Sequence, residues 1–286
     1  YDLASTTTTI SIARVKKTPL VRGVFLLYST YMSWRSKRQL SYLGVIFGAA
    51  FIVLAIIVVP KSFVTPTCSD GKQNGDEIGK DCGGSCITYC EIQVAPIVIK
   101  WTRSFETADN VYNIVAYLEN HNLDAGARFN YEFKLYDESN VFIPRIEGVG
   151  SISPNGVSTV FVPTVVTGNR IPKRTTFTIV GEPVWRKISA EAIANANVSV
   201  GSFEFTYPES DPKLVAIIEN ETLLPIGSFP VSVILYNSAG NAFAVSNTVI
   251  DGLSPQGQAN AYFSWPKPCQ ESVARVEIIP IIDTVK

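Results

Sequence analysis

The sequence predicts a mainly β protein with two tandem immunoglobulin-like antiparallel β-sandwiches, preceded by an N-terminal transmembrane helix and a small cysteine-rich neck. Three observations predict this architecture. A run without charges occupies residues 41–60, four cysteines cluster between residues 68 and 90, and the rest of the chain repeats itself with the two-residue alternation of β-strands. The expected divisions are a basic cytoplasmic tail, a transmembrane helix, the neck and two sandwiches, at residues 1–40, 41–60, 61–92, 93–187 and 188–286.

The overall composition of the chain is that of a globular protein. Its 286 residues carry a formal net charge of −1, and 17% of them are charged, so there is no global charge for a nucleic acid to contact. We therefore expect no nucleic-acid partner. The one asymmetry is local, because seven Lys and Arg residues precede residue 41 while Asp2 is the only acid in that region.

The apolar run "SYLGVIFGAAFIVLAIIVVP", residues 41–60, has the length that a helix needs to cross about 30 Å of hydrocarbon. A buried core helix and a cleaved signal peptide are the alternatives. The run is longer than the apolar part of a typical signal peptide, and no pattern of small residues typical of a cleavage site follows it. We therefore predict a transmembrane helix.

The basic residues before this helix set its expected orientation. Lys and Arg near a span favour the cytoplasmic side, so the N-terminus is expected in the cytoplasm and everything after Pro60 outside the cell. Apolar residues at helical spacing in residues 19–38 predict an interfacial helix on membrane lipid, with a protein partner as the alternative occupant. The residues expected to contact lipid headgroups are Trp34, Arg35, Lys37 and Arg38.

The neck combines cysteines with acids and glycines in the stretch "CSDGKQNGDEIGKDCGGSCITYC". An extracellular location favours disulfides among Cys68, Cys82, Cys86 and Cys90. Carboxylate and amide oxygens on a glycine-rich backbone are the ligands that Ca²⁺ prefers, and the alternative is a polar disulfide loop with solvated acids. The candidate Ca²⁺ ligands are Asp70, Asn74, Asp76, Glu77 and Asp81.

This stretch resembles a short extracellular motif of the form C-x-D-G-x-x-N-G-x-E-x-x-x-D-C-G-G-x-C, which lies between domains and beside anchors in secreted and surface proteins. The resemblance implies an extracellular, disulfide-closed minidomain that is stabilised by an ion. The pairing we favour joins Cys68 to Cys82 and Cys86 to Cys90, which closes the acidic loop around the ion. The sequence alone leaves the other two pairings open.

The remainder of the chain is duplicated. "VAYLEN" at residues 115–120 returns as "VAIIEN" at residues 215–220, "FKLYD" as "VILYN" and "SPNG" as "SPQG", in the same order. Each copy alternates apolar and polar residues as half-buried strands do, with turn sequences between the strands. The helical stretch "KISAEAIANA" falls where a linker between the copies belongs. Tyr136 and Tyr236 are expected in equivalent places, each with a buried ring and its hydroxyl on a turn backbone group.

Phe133, Leu135, Tyr136 and Asp137 give the first copy a resemblance to the FxLYD family of small extracytoplasmic β-sandwich domains. The second copy departs from the signature, with Val233 and Asn237 at the Phe and Asp positions, so its similarity rests more on the internal repeat. The resemblance covers about residues 93–286. It implies a binding or spacer domain without catalytic residues.

A search for catalytic residues agrees with that implication. His121, the single histidine, lies in the turn "ENHNLDAG", and neither a carboxylate pair nor a phosphate-binding glycine loop is evident. We expect that the chain is not an enzyme. Cys269 is expected to be an inert buried thiol, with an intersubunit disulfide as the alternative.

These observations favour a membrane-anchored, extracytoplasmic structural or interaction subunit of a cell-envelope assembly. Its expected partners are membrane lipid and other protein subunits, a homo-oligomer included. The alternative is a surface adhesin or ligand-binding protein whose loops hold a carbohydrate or a peptide.

Overall fold

The computed structural model describes residues 34–62, 65–206 and 208–285. The chain separates into two compact units, Tyr1–Thr65 and Pro66–Lys286. The described part of the first unit is a helix, and the second unit contains the neck and all of the strands described below. The mainly β fold class with tandem antiparallel sandwiches is confirmed.

Helix α1 spans Trp34–Ser62. Its segment Trp34–Ile57 is long and apolar enough to cross a membrane, with a mean hydropathy of 2.5. At 1.5 Å per residue these 24 residues extend about 36 Å. The helix begins before the predicted start at Ser41 because no helix breaker separates the basic residues from the apolar run. The four residues predicted to contact headgroups therefore form the first turns of α1, and residues 1–33, with most of the predicted interfacial helix, lie outside the described residues.

The first sandwich consists of two three-stranded antiparallel sheets, in the orders β1-β2-β5 and β4-β3-β6. Large side chains from both sheets fill its core, among them Ile114, Leu118, Phe133 and Trp185. A single 3₁₀ turn, Glu91–Gln93, precedes it. The strands are β1 Val98–Ala108, β2 Val111–Asn120, β3 Ala125–Tyr136, β4 Phe142–Ile152, β5 Gly156–Val166 and β6 Arg174–Lys187.

The second sandwich repeats this topology after a short linker helix, α2 Ala190–Ala194, which Ser189 caps through its side chain. Its sheets have the orders β7-β8-β11 and β10-β9-β12, and the core includes Leu214, Val233 and Trp265. The strands are β7 Val198–Thr206, β8 Lys213–Asn220, β9 Phe229–Tyr236, β10 Ala242–Ile250, β11 Gln258–Ser264 and β12 Arg275–Pro280.

Equivalent hydrogen bonds explain why two of the repeated sequence segments occur together. The buried Asn120 amide donates to the carbonyl of Ser153 at 2.9 Å, and the buried Asn220 amide donates to the carbonyl of Ser254 at the same distance. Each asparagine thus ties the end of one strand to the Ser-Pro turn of its own sandwich. Because these buried amide groups need partners, both halves of the pair recur in both copies.

Tyr136 and Tyr236 occupy equivalent positions, as expected, and the expected burial of the ring holds for Tyr236 but only in part for Tyr136. Each ring lies under an arginine of the adjacent strand, at 4.1 Å from the Arg174 guanidinium and 3.8 Å from that of Arg275. Strand alternation places both rings on the outer face of the sheet, opposite the core residues. Tyr136 is only partly buried, whereas Tyr236 is 4% exposed because a second sheet covers it.

The two sandwiches pack against each other through sheets β1-β2-β5 and β10-β9-β12. On β2, Val115 and Tyr117 point away from the first core, and on β9, Ile234 and Tyr236 point away from the second. Together they form a third apolar cluster that completes a stack of four sheets. Strands β2 and β9 are therefore buried on both faces, and β9 is not half-buried as predicted. The other buried members of this cluster are Phe105, Ala242, Val245 and Ile279.

The C-terminal residues return from the second sandwich to the first. The Ser153 hydroxyl donates to the carbonyl of Ile282 at 2.6 Å, and Val285 is 2% exposed. We call residues 281–285 the strap. A methyl group on Gly126 would lie 2.7 Å from the Val285 side chain, so the strap can pack here only because residue 126 is a glycine. The end of the predicted second domain thus packs on the first.

The third apolar cluster predicts different effects for equivalent residues of the two copies. Ile234→Ala removes a fully buried side chain from the contact and is expected to lower the free energy of unfolding by about 2–5 kcal/mol. Lys134→Ala, at the equivalent position of the first copy, shortens a partly exposed side chain and leaves the buried Glu132 paired with Arg145 at 3.3 Å, so it is expected to cost about 1 kcal/mol or less. Urea unfolding of the detergent-solubilised chain, followed by tryptophan fluorescence, measures both. Equal effects would contradict the contact.

Candidate functional site

The disulfides of the neck connect Cys68 to Cys86 and Cys82 to Cys90, so the pairing favoured from the sequence is wrong. The reason is a chain reversal at Gly83 and Gly84, both of which have positive φ angles. The reversed chain closes with a hydrogen bond from the Gly83 amide to the Thr88 carbonyl, which brings Cys82 and Cys90 to a Cα–Cα distance of 5.1 Å. The paired glycines in "CGGSC" were the sequence signal for this reversal.

The acidic side chains of the neck accept hydrogen bonds from its backbone. Both oxygens of Asp81 accept from the Gly71 amide, at 3.0 and 2.9 Å, and Asp76 accepts from the amide and the hydroxyl of Ser85. Glu77 accepts from the Asn74 amide at 3.1 Å. The hydrogen bond from the Ser85 hydroxyl is the main cause that lowers the pKa of Asp76. These carboxylates therefore brace the loops of the neck.

The fifth candidate ligand, Asp70, accepts from the Lys72 amide at 2.9 Å and from the side-chain amide of Asn74 at 2.7 Å. The Asn74 Oδ1 atom is buried without a hydrogen-bond partner. This oxygen is the one feature of the neck that a cation would satisfy.

The predicted ligands do not converge into a common Ca²⁺ shell in this structure. Among the described residues, the one group of three His, Cys, Asp or Glu side chains with ligand atoms within 4.8 Å is Glu77 with Cys68 and Cys86. Those two sulfurs are joined in a disulfide and are not thiolate ligands. Ca²⁺ binding stays a prediction, and the hydrogen bonds above hold the acids without it.

The neck is joined to the first sandwich as an added strand. Thr88 forms a β-bridge with Arg186 of β6, the Tyr89 amide donates to the Trp185 carbonyl at 3.0 Å, and the Lys187 amide donates to the Ile87 carbonyl at 2.7 Å. The Tyr89 ring packs against the first core. Backbone hydrogen bonds in both directions fix the neck to the end of β6, in the manner of β-strand addition.

The Tyr89 hydroxyl adds a side-chain contact to this attachment. It donates a hydrogen bond to Asp124 at 2.6 Å, and this bond to a carboxylate raises the pKa of Tyr89 to about 12. Asp124 lies in the turn between β2 and β3, so the contact spans two different segments of the first sandwich. The neck is therefore held at two points.

Polar groups complete the contact between the sandwiches. The hydroxyl groups of Thr159 and Ser232 are buried and lie 2.7 Å apart, and the Tyr117 hydroxyl donates to Glu277 at 2.8 Å. Burial, followed by the nearby Glu277 carboxylate, raises the pKa of both Tyr117 and Tyr236. Arg103 donates to the Ala242 carbonyl at 2.6 Å. Sequence reasoning missed this interface, whose signal was the unbroken apolar run "VILY" in the second copy.

His121, the histidine weighed as a catalytic base, lies at the surface. The His121 side chain is 62% exposed, with Nε2 at 3.5 Å from a carboxylate oxygen of Glu119. Cys269 is a free cysteine that is half-buried at the edge of the second core, and burial raises the pKa of its thiol. The predicted headgroup contacts belong to the first compact unit, while the predicted disulfide and ligand residues belong to the second.

Comparison with known proteins adds little to this description. No family model matches the chain, and no curated protein matches it. Among solved structures, the crystal structure of red sea bream transglutaminase is similar over 65% of this chain and 29% of that chain, with 11% identity and a TM-score of 0.22. A similarity at this level carries no conclusion about function.

Disulfides and hydrogen bonds are expected to be sufficient to order the neck, whether or not a cation binds to it. Reduction should make the bonds after Lys72 and Lys80 accessible to trypsin, because each disulfide contributes about 2–4 kcal/mol in a segment with few apolar side chains. Chelation of divalent cations alone should leave these bonds protected. Peptide mapping without reduction should recover the Cys68–Cys86 and Cys82–Cys90 links. Cleavage after chelation would show instead that a cation orders the neck.

The Tyr89→Phe variant tests the attachment of the neck. Loss of the hydrogen bond to Asp124 should cost about 1.5 kcal/mol and speed exchange of the Lys187 amide hydrogen about tenfold. Because the folded pKa is raised from 10.0 to about 12, the contribution of this bond is complete below pH 10 and is lost as the pH rises through about 12. Tyrosinate absorbance of wild type minus variant should show one group titrating near 12.

Tyr262→Phe is the matched control for this experiment, because its ring is 64% exposed and lies outside the neck. It should leave the exchange of the Lys187 amide unchanged. Equal exchange rates in wild type and Tyr89→Phe would contradict the proposed attachment.

Proposed function

We propose that the chain is a membrane-anchored structural subunit of a cell-envelope assembly, which presents a rigid β-rich ectodomain outside the cell and does not catalyse a reaction. The observation that carries this proposal is the buried contact between the sandwiches, at β2 and β9. Domains within one chain commonly meet through small polar interfaces and move relative to each other. Here three connections, namely the sheet contact, the strap and the added strand of the neck, work against such motion.

The helix and the charge distribution support the anchoring role. The apolar part of α1 has the length of a membrane span, and seven basic residues lie on its N-terminal side. The positive-inside rule then favours a cytoplasmic N-terminus and an extracytoplasmic neck, where an oxidising environment maintains the disulfides. Membrane lipid is the partner of α1 in this proposal, and protein subunits are the partners of the sandwiches.

The exposed surface favours protein contacts over ligand binding in the loops. Several apolar side chains that are at least 46% exposed lie on strands, including Val149, Val180 and Val184 of the first sandwich. Flat sheet surfaces with apolar centres are typical of sites where proteins associate. This distribution supports the assembly role and not the adhesin.

Protease accessibility tests the proposed topology. A protease added to intact cells or spheroplasts should remove the chain after Pro60 and spare a tag on the basic N-terminal segment, because the membrane shields only the cytoplasmic side. Permeabilised cells, in which both segments are cleaved, provide the control. Protection of the sandwiches in intact cells would contradict the topology. Native solubilisation followed by identification of co-purifying chains tests the assembly role.

A further inference from the structure

The stack of four sheets leaves two outer faces without a sheet partner among the described residues: β7-β8-β11, whose centre is apolar, and β4-β3-β6, where exposed valines lie beside ion pairs. In the first copy, the second copy covers the outer face of the β1-β2-β5 sheet. The equivalent sheet of the second copy, β7-β8-β11, is the last layer of the stack. On this outer face Val215, Ile217 and Tyr262 stand where the first copy has Val115, Tyr117 and Phe161. Tyr262 is 64% exposed, and the two β8 side chains are partly exposed.

The sheet at the other end of the stack, β4-β3-β6, is built differently. Its outer face carries ion pairs that join Glu132 to Lys134 and to Arg145. Lys134 and Arg145 occupy the positions of Ile234 and Val245, which are buried in the contact between the sandwiches. Removing such charges from water costs several kcal/mol per ion before any attraction is recovered. A second copy that added its first sandwich to the free apolar face would bury these charges, so continuation of the stack head to tail is disfavoured.

The charges around the free apolar face fit a two-fold arrangement. Lys213 and Glu219 lie on the same face at opposite ends of β8, with Val215 and Ile217 between them. A two-fold axis in the plane of contact, perpendicular to β8, places Lys213 opposite Glu219 of the second copy. The same axis places Val215 opposite Ile217 of the second copy. An axis parallel to β8 would instead place like charges opposite each other, which is unfavourable.

The remaining polar groups of the face agree with the perpendicular axis. Tyr262 pairs with Val215 across the sheet, and Asn260 pairs with Ile217, so each Tyr262 ring meets Asn260 of the second copy. Glu204 of β7 is the neighbour of Val215 on the other side of β8. The axis places Glu204 opposite Gly201 of the second copy, where the pairing of β7 with β8 is irregular. Lys213 also pairs with Asp211 within the chain at 2.5 Å, so in this arrangement its ammonium group lies between Asp211 and Glu219 of the second copy.

We infer that the outer face of β7-β8-β11, centred on Val215, Ile217 and Tyr262, is the surface through which two copies of this chain form a symmetric dimer. Closed two-fold dimers are the most common oligomers, and the face combines an apolar centre with complementary charges at its rim, as such interfaces do. The inference rests on the proposed function, since it names one protein partner of the structural subunit.

A charge exchange within the full-length chain tests the dimer. Lys213→Glu alone, or Glu219→Lys alone, places like charges opposite each other twice in a symmetric dimer and should raise the dissociation constant about tenfold. The double variant Lys213→Glu/Glu219→Lys restores opposite charges and should return the constant to its original value. Sedimentation of the chain in detergent, with the mass of the detergent subtracted, measures the constant. Far-ultraviolet circular dichroism checks that each variant is folded.

Glu138→Lys is the matched control, because Glu138 is exposed in the turn between β3 and β4, outside both outer sheet faces. It should leave the dissociation constant unchanged. All variants retain helix α1, so association of the helices alone would affect them equally. Failure of the double variant to recover, or a monomeric wild-type chain, would overturn the dimer. A monomer that keeps the proposed topology and co-purifies with other proteins would overturn only the dimer and leave the structural role in place.

Discussion

The contact between β2 and β9 is the constraint on which the arrangement of the two sandwiches depends. Each strand lies in the middle of its sheet, and each contributes side chains to its own core on one face and to the shared cluster on the other. Such strands have no solvent-exposed face, and a change of register by one residue would exchange the two sets of side chains. The core of each sandwich and the contact between them are therefore specified by the same two strands, so the sandwiches are coupled through their most buried elements.

Three segments that are distant in sequence meet at the turn between β2 and β3. The carboxylate of Asp124 accepts the hydrogen bond of Tyr89, and its carbonyl accepts the Ile188 amide at 2.7 Å. Two residues later, Gly126 makes room for Val285. The neck, the linker and the strap are consequently fastened to one short stretch of the first sandwich. This arrangement ties the neck and the C-terminal strap to the same part of the first sandwich, so that movement of the second sandwich also requires release of the strap.

The elements with regular patterns could be predicted from the sequence, and those that depend on distant contacts could not. The apolar helix, the alternating strands and the duplication follow from local periodicity, which reports burial on a single face. The disulfide pairing depended on the reversal at Gly83 and Gly84, because spacing alone does not say which cysteines the folded chain brings together. The acids at positions 76 and 81 attracted a metal interpretation, yet nearby N–H groups satisfy them. The contact at Ile234 required knowledge of both copies at once.

The direction of the contact between the copies explains why their equivalent faces differ in composition. The contact joins two sheets that are not equivalent, namely β1-β2-β5 of the first sandwich and β10-β9-β12 of the second. A head-to-tail contact of this kind does not form a closed symmetric pair. A protein that could repeat it at both ends would therefore continue to add copies. The chain has apolar residues where the contact is made, at Ile234 and Ile279, and polar ones at the equivalent positions of the outer sheet, Lys134 and Thr178. Terminal repeats of stacked proteins need such a polar outer face to remain soluble. The first sandwich therefore presents charges where the contact would have to be repeated, which disfavours a further copy at that position and leaves the β7-β8-β11 face of the second sandwich as the surface proposed for a second copy.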